Sequence, residues 1–74
     1  MKLKKYQKRM IKEYNQLNKR IKKLEKILIK IEANTLEFDN VTPAWILRDQ
    51  LDMMERYRRV LLVRAEYEGV ELEY

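Results

Sequence analysis

The chain has 74 residues, 39% of them charged, and a formal net charge of +5. That length supports one small domain at most, and so small a core usually needs a covalent staple or a partner. Cysteine and histidine are both absent, which removes disulfides, thiolate zinc sites, and the commonest general base and metal ligand.

The charge is divided along the chain. All ten lysines lie in residues 1–30, with Arg9 and Arg20, against Glu13 and Glu25; residues 31–74 hold five arginines against ten acids. A basic half followed by an acidic half suggests two segments that pair with each other. No paired carboxylates sit in an apolar setting that would raise a pKa. Catalytic residues, metal ligands and cofactors are therefore expected to be none, and the chain is expected not to be an enzyme. No apolar run nears the ~20 residues of a membrane span. No signal-peptide pattern follows the basic N-terminus, and the missing cysteine fits a cytoplasmic location.

The first segment, residues 2–33, has no Gly or Pro and is rich in helix formers. Met10, Tyr14, Leu17, Ile21, Leu24, Leu28 and Ile31 recur at spacings of 4, 3, 4, 3, 4 and 3, the a/d seam of a heptad repeat. Leu3 extends it one heptad earlier. Lysines occupy the other faces, either as a solvated face or as a phosphate-attracting surface. Near the end the apolar band widens over Ile27, Leu28, Ile29 and Ile31, more than one partner helix covers.

The connector, residues 34–42, breaks the pattern. Asn34 suits a helix C-terminus because Asn tolerates the left-handed conformation. Leu36 and Phe38 are expected to fold onto the hairpin end. Thr42-Pro43 reads as N-cap and first helical residue, with Val41 and Ile46 as a hydrophobic staple.

The second helix is expected over 43–68, closed by Gly69. Leu47, Leu51, Met54, Leu61 and Ala65 form one stripe, and Ile46, Met53, Tyr57 and Val60 form another beside it. Together they span about half the circumference, wider than one partner helix can bury. Gln50, the Tyr57 hydroxyl and Arg64 fall inside this arc, spaced seven and seven. Such a polar ladder needs polar partners, either in an oligomer interface or in a ligand pocket between subunits. Arg58 is a further interface candidate. Trp45 points to the charged side near Arg48, either covering the connector or anchoring a partner. The tail, residues 69–74, either docks on a neighbour or stays loose.

The fold expected is therefore all-α: an antiparallel two-helix hairpin, one domain over 1–74, assembling into a homo-oligomeric bundle. The run Ile46-Leu47-x-x-Gln50-Leu51-x-Met53-Met54-x-x-Tyr57-x-x-x-Leu61-x-x-Arg64 resembles small bacteriophage hairpin proteins. It is most similar to the anti-CBASS cyclic-oligonucleotide sponges and the related hairpin domains of anti-Thoeris sponges, with Met53 where they carry a small residue. The resemblance implies a hexamer that sequesters a cyclic nucleotide immune signal without catalysis, in the host cytoplasm if phage-encoded. It carries Gln50, Met54, Tyr57, Leu61 and Arg64 over as the interface or ladder. Ligand-binding candidates are Lys26, Lys30, Thr42, Trp45 and Arg48, with Lys26 or Lys30 near the N-terminus of the second helix. A second reading is a coiled-coil protein that binds or inhibits a host protein. A third is nucleic-acid binding through the lysine-rich helix, which has few Arg and no accompanying fold signature. No membrane partner is expected.

Overall fold

A computed structural model of the chain describes residues 2–37 and 39–73. Two helices, α1 (Lys5–Glu32) and α2 (Ala44–Glu68), pack against each other as an antiparallel hairpin. The molecule is a rod of 48 × 18 × 17 Å, set by α1, whose 28 residues span about 42 Å. Both helices begin later than the sequence suggests. Lys4 caps α1, its backbone N–H donating to the Gln7 Oε1 at 3.0 Å. Leu3 lies before the helix and is 39% exposed.

The seam of α1 is buried from Met10 to Leu28, with Tyr14 and Ile21 wholly inaccessible. From α2, only Leu61 and Ala65 reach the same depth. Leu51, Met54 and Leu62 pack against that core while remaining partly open. Arg58 sits on the same side of α2, where its Nη1 donates to the Asn18 Oδ1 at 3.1 Å. Arg58 thus serves the hairpin's own interface.

Both helices end in the same way. Asn34, at φ 57°, follows α1; its N–H donates to the Ile31 carbonyl and the Thr35 N–H reaches back to the Lys30 carbonyl at 2.8 Å. Gly69, at φ 69°, follows α2; its N–H donates to the Glu66 carbonyl and the Val70 N–H to the Ala65 carbonyl at 2.9 Å. These are paired Schellman bonds around a left-handed residue. After Gly69 the chain turns back over the core. Val70 is buried, Leu72 packs on the core, and the Tyr14 hydroxyl donates to the Glu73 carbonyl. The tail therefore clasps its own hairpin, because the left-handed turn aims Val70 at Ala65 and Met10 rather than outward.

The start of α2 corrects the expected cap. Pro43 is the N-cap, its carbonyl accepting from the Ile46 N–H at 3.1 Å, and no side chain caps the helix. Thr42 instead closes a local turn with Asn40, whose Nδ2 donates to the Thr42 carbonyl at 2.7 Å. Val41 is 95% exposed, so it forms no staple with Ile46. Leu36 is half-buried; Phe38 lies outside the described residues.

The two charge halves do not neutralise each other. Among the described residues the ion pairs are Arg48 with Glu32 at 3.4 Å and Arg64 with Glu68 at 2.8 Å. No lysine takes part. The lysine face of α1 lies opposite its buried seam and is turned away from α2. No helix of the described residues is long and apolar enough to cross a membrane.

Candidate functional site

The hairpin leaves one face of α2 uncovered. Its inner seam runs through Leu47, Leu51, Met54, Arg58, Leu61 and Ala65. Displaced by one residue runs a second heptad seam, Ile46, Gln50, Met53, Tyr57, Val60, Arg64 and Tyr67, again at spacings of 4, 3, 4, 3, 4 and 3. Every residue of this outer seam is exposed. Met53 is 59% accessible and Tyr67 89%. A run of apolar side chains this long on a solvent face marks an interaction surface. The accessible surface of the chain, 6488 Å², exceeds the about 4,900 Å² expected of a compact monomer of this mass. Part of that excess is this uncovered face.

Arg64 of the outer seam meets residues of both helices. Arg64 donates through Nε to the Glu68 Oε2 at 2.8 Å and lies 5.8 Å from the centre of the Tyr6 ring. Glu68 also accepts from the Gln7 Nε2 at 3.4 Å. The hydrogen bond from Arg64 holds the Glu68 carboxyl below its ordinary value. The same bond holds the guanidinium firmly protonated. Among the described residues the two Nη groups of Arg64 have no hydrogen-bond partner. About two turns away, the hydrogen-bonding pull of the Glu13 carboxylate raises the Tyr57 phenol above its usual range. Tyr6 thus lies beside a guanidinium with free donors, and Tyr57 offers a second aromatic face about two turns along the same seam. Such a set can stack on a base and pair with a phosphate.

The structure treats the other candidates differently. Gln50 is exposed on the outer seam, in line with Tyr57 and Arg64. Met54 and Leu61 face α1 and belong to the hairpin core. Lys26 and Lys30 are exposed on the side of α1 opposite its buried seam, so they do not meet Thr42, Trp45 or Arg48 across the hairpin. Arg48 is held to Glu32, and Trp45 is 62% exposed at the start of α2. Gln7 and Glu13 were not singled out as site residues by the sequence. Their signal was available only through pairing: they flank the α1 seam at the level where the antiparallel α2 presents Tyr57 and Arg64. Among the described residues no group of carboxylates could hold a metal ion.

A family model described as Sequestin matches residues 4–67. The chain belongs to the Sequestin family. No curated protein and no solved structure matches it. The Sequestin match takes in α1, α2 as far as Tyr67, the outer seam, and Tyr6 and Arg64, and ends before the tail that clasps the core. The family's name suggests a sequestering protein.

Proposed function

We propose that this protein is a phage-type anti-defence protein that sequesters a cyclic nucleotide immune signal as a homo-oligomer and breaks no bond. One observation carries the reading. Arg64 sits on an unpartnered apolar seam against the Tyr6 ring, with its Nη groups open and Tyr57 about two turns along the same seam. Membership of the Sequestin family supports the sequestering role. A second copy laid on the outer seam covers Ile46, Met53, Val60 and Tyr67 and brings a second set of polar rungs to the first. A ligand held there gives up its water to two aromatic faces and two guanidinium groups, so release is slow and the signal is withdrawn from its receptor. A host protein docking through Trp45 at the start of α2 is the competing reading, favoured by that residue's exposure.

Calorimetric titration of cyclic di- and trinucleotides into the pure protein tests this. Saturable binding is expected, lost in Arg64→Ala, with the ligand recovered intact after denaturation. Silence across the common cyclic nucleotides would sink the proposal. Recovery of a hydrolysed product would replace sequestration with catalysis.

A further inference from the structure

The face of α1 turned away from the hairpin is a line of lysines. Lys8, Lys12, Lys19, Lys23, Lys26 and Lys30 follow one another at 4, 7, 4, 3 and 4 residues. At 100° per residue they fall within an arc of about 60°, opposite the buried seam. With Lys5 in the first turn, the line is about 38 Å long. All of these side chains are exposed, and among the described residues none lies within 4.0 Å of a carboxylate. Glu13, Glu25 and Glu32, the acids of α1, lie off the line on the flanks of the seam.

Such a face costs helix stability. Like charges three and four residues apart repel, and Lys5 and Lys8 crowd the positive end of the helix dipole, where the first turn has no acid. A face serving only solubility is better built with Glu and Lys interleaved. The line is convex and contributed by one helix, so it does not enclose a small molecule. It contains no arginine and no aromatic residue, since Tyr6 and Tyr14 lie on the hairpin side. Lysines supply point charges, without the bidentate fork or the stacking faces that read bases.

The geometry points to a second binding surface: the lysine line of α1 holds the phosphate backbone of double-stranded nucleic acid, without sequence preference. Its length matches about 11 base pairs at 3.4 Å each. It lies away from Arg64 and Tyr57, so it stands or falls independently of the sequestering site.

Fluorescence anisotropy with a labelled random-sequence duplex of about 24 base pairs tests it. The wild-type protein is expected to bind saturably at about 50 mM salt and to weaken roughly tenfold or more at about 200 mM. The variant K19Q/K23Q/K26Q is expected to bind about tenfold more weakly, with a salt slope smaller by about 2 to 3. K19R/K23R/K26R, which keeps the charge, should bind as wild type. K2Q/R56Q/R59Q removes the same charge elsewhere and should stay within about twofold of wild type. The proposal is overturned if both glutamine variants weaken equally, if no duplex binds at the lower salt, or if phosphatidylserine vesicles bind where the duplex does not.

Discussion

The two helices solve different problems. α1 has one apolar seam, and the hairpin buries nearly all of it, from Met10 to Leu28. α2 has two adjacent seams, and the hairpin uses one. Only Leu61 and Ala65 of α2 are fully buried, while Met53, Val60 and Tyr67 stand more than half exposed. A two-helix hairpin can satisfy one seam per helix, because a single neighbour covers only one stripe. The excess on α2 is therefore surface kept for something other than folding the single chain. The tail reinforces the contrast: it closes the core at Tyr14, Leu61 and Ala65 and leaves the outer seam alone.

The contrast is broken most severely from the α1 side. Tyr14→Ala removes a side chain with no accessible surface and the hydroxyl that donates to the Glu73 carbonyl. Aromatic-to-alanine changes of this kind cost about 3–5 kcal/mol, comparable with the whole stability of so small a domain. Circular dichroism of the variant should show loss of cooperative melting. On α2's outer seam the same instrument should see little. Met53→Glu with Val60→Glu removes exposed apolar groups, so the melting of the single hairpin should move by no more than about 0.5 kcal/mol per site. Light scattering should show the native assembly reduced to monomers. If the wild type is already a monomer at micromolar concentration, the outer seam is not an interface between copies.

Much of this was legible from spacing alone. The α1 seam, the left-handed exit at Asn34, the glycine stop at Gly69 and the double-width face of α2 are all local patterns, and local patterns survive into the fold. Three things were not legible. The Thr42-Pro43 pair reads as a cap and first helical residue, yet the Asn40 side chain takes the Thr42 backbone into a turn of its own and moves the start by one residue. Whether the tail docks depends on where a left-handed turn aims Val70, which is a tertiary matter. The expected neutralisation of lysines by the second helix fails because equal and opposite charge along a sequence says nothing about which sides of two packed helices carry it.

The two helix exits permit a smaller comparison, since they share one geometry with different residues. Gly69→Ala places a Cβ in open space but holds a left-handed backbone, which should cost about 1–2 kcal/mol. Asn34→Gly relieves a left-handed Asn at φ 57° and should gain a few tenths of a kcal/mol at most. Thermal melts of the two single variants should move in opposite directions. Equal destabilisation would mean that the Asn34 side chain contributes more than its tolerance of that conformation.

The smallest effect lies at the cluster itself and depends on pH. Glu68 has its folded pKa held below the ordinary 4.5 by the hydrogen bond from Arg64. The folded state therefore binds fewer protons than the unfolded chain just below that value, and the stability this pair contributes is present above it. That contribution fades as pH falls through the folded pKa. The pair is solvent-exposed, so the effect on melting is slight. It is better read as a carboxylate titration by NMR, with a Glu68 midpoint below 4.5 in the wild type and a return to the ordinary range in Arg64→Gln. In a complex with an anionic ligand the guanidinium is shared, so the Glu68 midpoint should rise toward that of Arg64→Gln. A midpoint that does not move on ligand addition would separate the binding site from Arg64.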